Sequence, residues 1–242
     1  MISESQNRLI SYLDYYLSAV SILASFINLL VNKHHSSNHP NSPTYYFWQQ
    51  AAFADLSFAI GNFTTHYLQN QPNLCVIMIL FRNFFRYVSI FIFGGTGIYL
   101  YNARTHDNFR PFQTRYGIII TCYILALLNV IVGYLFGMDR YFQICVANHS
   151  PLDSNNFGFK YILIILALVI GGYTMVISTL DFEVFNSILI LTVLQIMTLI
   201  FAPINDLYTM WRGEPSFYIL LFHFMTTRAS GFLNYLLFTG AL

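Results

Sequence analysis

Arg82 and Arg86 lie four residues apart in the apolar run 75–101, CVIMILFRNFFRYVSIFIFGGTGIYLY. Four residues is close to one helical turn, so both fall on one face of a helix formed there. The run is long enough to cross a bilayer, since about 20 residues rising about 1.5 Å each span the hydrocarbon. An arginine at that depth costs at least about 2.5 kcal/mol, so it turns to a protein interior or a wet cavity and marks a functional site. Its planar fork binds carboxylate or phosphate through two parallel hydrogen bonds. A third arginine, Arg228, stands in the last apolar run, and two carboxylates, Asp14 and Asp55, stand in the first two. Two chemistries follow. One is recognition of an anion by the arginines. The other is ion pairing of Asp55 and Asp14 with Arg86 or Arg228, which fixes helix register. Three arginines against two aspartates leave one positive charge in excess.

Other chemistries find little footing. There is no nucleophile–base pair, phosphate loop or carboxylate dyad, so an enzyme is not expected. His34, His35, His39, His66 and His223 follow no metal-ligand spacing, and no metal site is expected. The run 216–240 has no lysine, which excludes retinal held there as a Schiff base. Net charge is +1, giving no case for nucleic-acid binding.

The elements that must position these groups are membrane helices. Of 242 residues, 56% are hydrophobic and only 9% charged, against about 25% charged in a soluble domain. Most of the surface must therefore face lipid. The apolar pattern predicts one heptahelical transmembrane domain over 1–242, with helices at 9–31, 44–67, 75–101, 116–137, 159–180, 185–204 and 216–240. The first run is long enough to span and is expected to stay rather than to be cleaved as a signal peptide. Gly94, Gly95 and Gly97 are expected to loosen the end of the third helix. Lys33, Arg104, Arg110 and Arg115 on one side balance Arg8, Arg140, Lys160 and Arg212 on the other, so the positive-inside rule gives no orientation. The cysteines break this tie. Cys75 opens the third helix and Cys145 lies in the loop after the fourth, on the same side, whereas Cys122 sits inside an apolar run. A Cys75–Cys145 bridge would form only on a non-cytosolic face, which puts the N-terminus outside.

Several motifs resemble those of G-protein-coupled receptors. The third-helix cysteine and the cysteine of the following outer loop are similar to that family's bridge. AAFADLSFA at 51–59 resembles the L-A-x-A-D-L pattern, with Asp55 at the sodium-site aspartate, and Asn28 is similar to the signature asparagine of the first helix. Pro203 in FAPIN resembles the kink proline of the sixth helix. SGFLNYLLF at 230–238 is similar to the Q-G-F-x-N-x-x-x-Y of the secretin, adhesion and cyclic-AMP-receptor branches, with Asn234 at the motif asparagine and Phe238 at the tyrosine. The resemblance implies that Arg82, Arg86 and Arg228 face an outward ligand pocket, that Asp55, Asn28 and Asn234 form an ion or activation network able to take sodium, and that Pro203 is a hinge. The chain departs from the pattern where Tyr99, Leu100 and Tyr101 occupy the D-R-Y place and where it stops shortly after Phe238, with no eighth helix or tail.

The expectation is a receptor, in the plasma membrane, for a small anionic ligand, signalling to a heterotrimeric G protein. A seven-helix anion transporter or channel, or a non-signalling heptahelical scaffold, is the alternative.

Overall fold

The computed structural model describes residues 4–38, 43–68, 71–105, 110–135, 169, 201, 204–205, 207–209, 211–214 and 216–238. The expected fifth and sixth helices lie almost wholly outside these residues, as do Pro203 and Cys145. Among the described residues the chain is helical, in α1 (Glu4–Asn38), α2 (Pro43–Tyr67), α3 (Pro72–Thr105), α4 (Pro111–Leu135), α5 (Phe217–Arg228) and α6 (Ser230–Phe238).

Proline sets three of the helix starts. Pro43, Pro72 and Pro111 open α2, α3 and α4, at the first helical position, where a missing N–H costs nothing and the fixed φ already suits a helix. The apolar pattern placed the starts of α3 and α4 at 75 and 116, because hydropathy falls off before the backbone ladder does. For the same reason α1 continues through Lys33, His34, His35, Ser36 and Ser37, a stretch read as loop, and ends ahead of Pro40.

Among the described residues three helices are long and apolar enough to cross a membrane, at Arg8–Val31, Asn73–Ala103 and Gln113–Val132. α2 carries Gln49, Gln50, Asp55, Asn62 and three threonines, which lower its hydropathy. Its 25 residues nonetheless measure about 37 Å. It runs antiparallel to both neighbours. Phe63 and Tyr67 meet Tyr15 of α1 with ring centroids 4.8 and 6.5 Å apart, while Phe47, at the other end of α2, meets Tyr99 of α3 at 5.2 Å. Asp55 and Asn62 are buried within the bundle, leaving Phe53 and Ile60 on the exposed side. The main apolar core lies between α2, α3 and α4, around Phe47, Val88, Ile90, Ile92, Tyr99 and Ala126.

The glycines of α3 do not loosen it. The helix runs unbroken through Gly94, Gly95 and Gly97 to Thr105, so that expectation is corrected. Gly95 is where α4 comes closest. A Cβ there would lie 2.7 Å from Ile118 Cγ2 and 3.0 Å from Cys122 Sγ, and the Cys122 thiol donates to the Phe91 carbonyl at 3.2 Å. Gly61 plays the same part between α2 and α3, 3.0 Å from Arg82 Cβ. The small residue serves close packing of helices rather than flexibility.

The last apolar run, expected as one helix over 216–240, is two. The two are joined by a single turn residue, Ala229 (φ −78°, ψ −2°), which stays in the right-handed helical region, its N–H donating to the Met225 carbonyl and its carbonyl accepting from Leu233. Just before Ala229, the Thr226 hydroxyl donates back to the carbonyls of Phe222 and His223, at 2.8 and 3.2 Å, a competition that bends helices. Contacts of Ser25 with Gly231 bring α6 alongside α1, and Asp14 and Asn28 meet Arg228 and Asn234 in the same chain order. The last segment therefore runs parallel to α1.

Replacing Gly95 with valine should destabilise the purified protein by about 1–3 kcal/mol, the usual cost of overpacking. Gly117 has nothing within 4 Å of its would-be Cβ, so Gly117→Ala should change stability by less than about 1 kcal/mol. Thermal unfolding in detergent reads both, and equal shifts would contradict the packing role of Gly95.

Candidate functional site

One face of α1 carries Asp14, Ser18, Ser21, Ser25 and Asn28, all at most 5% exposed. The intervals of four, three, four and three residues keep them on one side of the helix. Only the two ends of this stripe were singled out from the sequence; the three serines between were legible in the spacing and were missed. Small hydroxyl side chains here let α6 approach, since a Cβ on Gly231 would collide with Ser25 Oγ.

Asp14 and Arg228 form a buried ion pair. Arg228 Nε meets Asp14 Oδ1, and Nη2 donates to Oδ2 at 3.3 Å. The backbone of Arg228 is held by the same helix, because the Ser21 hydroxyl donates to its carbonyl. Phe224, one turn earlier, lies against the guanidinium with its ring centroid 5.5 Å from Cζ. Of the pairings open from sequence, Asp14 with Arg228 is formed.

Asp55 forms the second junction. Ser89 of α3 donates to its Oδ1 at 2.8 Å, and Asn234 Nδ2 of α6 donates to its Oδ2 at 2.6 Å. Asn28 of α1 lines the same small cavity, with Trp48, Thr96 and Ile92 among its walls. Four helices thus converge on one carboxylate. The cavity volume is about 10 Å³, roughly what one water requires. A monatomic ion or a water fits there; an organic ligand does not. Asn28, Asp55 and Asn234, chosen by resemblance, are brought together. Ser89 is the partner that sequence reading missed. It lies seven residues beyond Arg82 on the same face of α3, which was the signal available.

Arg82 and Arg86 are 4% and 9% exposed. Phe58 of α2 covers Arg86, with 5.2 Å from Cζ to the ring centroid. His223 of α5, whose Nδ1 lies 3.2 Å from the Thr227 hydroxyl, is within electrostatic reach of Arg82, Arg86, Arg228 and Asp14. Arg86 is likewise within reach of Asp55. All three arginines thus lie within electrostatic range of His223, a residue set aside from sequence.

At the opposite end of the bundle Arg115 of α4 lies over Tyr46 and Tyr116, at 4.5 and 5.0 Å. This ties α4 to α2 beside buried Tyr99, the residue standing in the D-R-Y place. Among the described residues no group of three or more His, Cys, Asp or Glu is placed to hold a metal.

No family model matches this chain, and no curated protein matches it.

Removing one partner of a buried pair leaves an uncompensated charge, so Asp14→Ala should cost about 3–5 kcal/mol. The double variant Asp14→Leu/Arg228→Met should recover most of that, because apolar replacement of both members is often neutral. Denaturant or thermal unfolding in detergent tests this. Equal stability of Asp14→Ala and wild type would remove the pair from any structural role.

Proposed function

We propose that the chain is a seven-helix, G-protein-coupled-receptor-like protein of the plasma membrane that senses a small anionic ligand from outside and signals to a heterotrimeric G protein. The observation that carries this reading is the convergence on Asp55. Asn28, Asp55 and Asn234 were selected by motif resemblance from three distant stretches, and in the fold they line one water-sized cavity with Ser89 closing it. That cavity would take a sodium ion or a water, with Asp55 as the charged ligand and Ser89 and Asn28 supplying neutral oxygens.

Chain direction supports the count of seven. α4 runs antiparallel to α3, as Phe91–Cys122 and Gly95–Ile118 show, whereas the last segment runs parallel to α1. An even number of crossings must then separate Leu135 from Phe217. The two apolar runs at 159–180 and 185–204 supply two. A Cys75–Cys145 bridge belongs to the same reading. Cys75 is buried at the start of α3, and Cys122 is a separate, free buried thiol.

The arginines would form the ligand site. Arg228 is already engaged by Asp14 and would act by holding α1 against α5. Arg82 and Arg86, buried on one face of α3, would supply the guanidinium donors to the anion. Ligand entry there would shift α5 against α6 at Ala229, and a change of packing at the Asp55 junction would follow as a shift in population between two arrangements.

A second reading, an anion transporter or channel, rests on the same buried arginines acting as its binding site.

Screening anionic metabolites for ligand-dependent nucleotide exchange on added G proteins separates the two. The receptor reading expects exchange with at least one ligand, with Arg82→Ala weakening the response by about 10-fold or more, equivalent to about 1.4 kcal/mol of binding. Anion flux into sealed vesicles without nucleotide exchange would select the transporter.

A further inference from the structure

We infer that the end of the bundle at which α1 begins carries a phospholipid site between α1 and α2. Arg8, Tyr12, Tyr15 and Tyr67 hold the phosphodiester, and Phe63 lies beneath it against the acyl chains. The inference needs the chain to be a membrane protein and does not need it to be a receptor. Three of these side chains form one cluster across two helices. Ring centroids lie 4.8 Å apart for Tyr15 and Phe63, 5.4 Å for Phe63 and Tyr67, and 6.5 Å for Tyr15 and Tyr67. The two phenol oxygens are 3.1 Å apart. Side chains lean toward the N-terminus of their own helix. Tyr15 therefore points to the start of α1, while Tyr67, on an antiparallel helix, points down the bundle to meet it. Tyr12 and Arg8 precede Tyr15 by three and seven residues, on the same face of α1, and both are exposed.

Depth places this cluster among lipid headgroups. The apolar part of α1, Arg8–Val31, has 24 residues and measures about 36 Å, against about 30 Å of hydrocarbon. Its first turn therefore stands at the headgroup boundary. Exposed Tyr16, Tyr134 and Tyr218 lie at the same end, on α1, α4 and α5. At the other end Tyr46 and Tyr116 pack on one another and on Arg115. Exposed phenols spread over several helices at one level suit a headgroup layer, where ring and hydroxyl meet different media. A single protein partner would cover one side only.

Chemistry selects the headgroup atom. Within the phenol pair one hydroxyl donates to the other, and the second keeps its proton for an outside acceptor. Tyr12 adds another phenol O–H and Arg8 a guanidinium. The complement of donors around a positive charge is an anionic acceptor that carries no proton of its own. A phosphodiester is such a group. Phe63, one turn deeper on α2, offers only an apolar surface, as the first carbons of an acyl chain require.

The test is thermal unfolding of the purified full chain in alkyl maltoside micelles, titrated with phosphatidylcholine, phosphatidylglycerol, diacylglycerol of the same acyl chains, or water-soluble glycerophosphocholine. Both phospholipids should raise the unfolding midpoint by about 3 °C, an increment typical of ligand linkage in a chain of this size. Diacylglycerol and glycerophosphocholine should leave it unchanged. The double variant Tyr15→Phe/Tyr67→Phe keeps the rings and loses the donors. It should weaken the apparent phospholipid affinity about 10-fold, as expected for one hydrogen bond to a charged group. Arg8→Gln should act in the same direction. Tyr218→Phe, at the same level but outside the cluster, should bind phospholipid as the wild type does. Equal stabilisation by diacylglycerol would reduce the cluster to acyl packing and overturn the proposal. Equal stabilisation by glycerophosphocholine would make it a site for soluble phosphate esters, which also overturns it. So would an unchanged affinity in both the double variant and Arg8→Gln. A native mass of two chains that fall apart in the double variant, with no dependence on phospholipid, would give the surface to a second copy instead. Should the variants not fold, the comparison of phospholipid with diacylglycerol on the wild type decides alone. The receptor reading stands or falls separately, on nucleotide exchange.

Discussion

The buried ion pair between Asp14 and Arg228 holds the first helix against the last segment, and the remaining polar architecture depends on that closure. Both oxygens of the carboxylate are engaged by the guanidinium, and the same residue's carbonyl is taken by Ser21 two turns further along α1. In a medium without water neither charge could be left alone. Once the pair forms, Ser25 sits against Gly231 and Asn28 reaches the cavity shared by Asp55 and Asn234. The stripe on α1 then works as a register device. Its small hydroxyls permit close approach and its charged end specifies which turn of the partner lies opposite. Buried pairs commonly contribute more to specificity of this kind than to net stability.

Closeness of backbones is the second requirement, and glycine meets it at Gly61, Gly95 and Gly231. Each would place a Cβ within 3.0 Å or less of a neighbouring helix. Lipid offers no hydrophobic drive for helix association, so packing of small residues and buried hydrogen bonds must supply it. The hydrogen bonds to Asp55 from Ser89 and Asn234 are of that kind, and they join α2 to α3 and α6 at one point.

Much of this was legible along the chain. Hydropathy located the described helices to within a few residues on the apolar side, and erred where polar or proline-led turns extended them, because backbone hydrogen bonding does not stop where apolar side chains do. Intramembrane Arg82, Arg86, Asp14 and Asp55 were marked by the cost of charge in lipid alone. Ser18, Ser21, Ser25 and Ser89 were not marked. A serine inside an apolar run can bond to its own helix, as Thr64, Thr65 and Thr121 do here, and only the neighbouring helix distinguishes the two uses. The glycines of α3 were read as loosening the helix because glycine permits both flexibility and close approach, and sequence does not say which neighbour is near.

What the sequence by itself determined is the class of molecule and its electrical problem: apolar runs long enough to span, with three arginines and two aspartates inside them, so that one positive charge exceeds the carboxylates. That follows from composition and rise per residue, which are local. The tertiary structure decided which charges meet. Asp14 takes Arg228, Asp55 takes neutral donors from α3 and α6, and Arg82 and Arg86 lie within electrostatic range of His223. Pairing is a long-range choice, set by helix crossings at glycine and by the direction of the last segment, and no spacing within a single run encodes it.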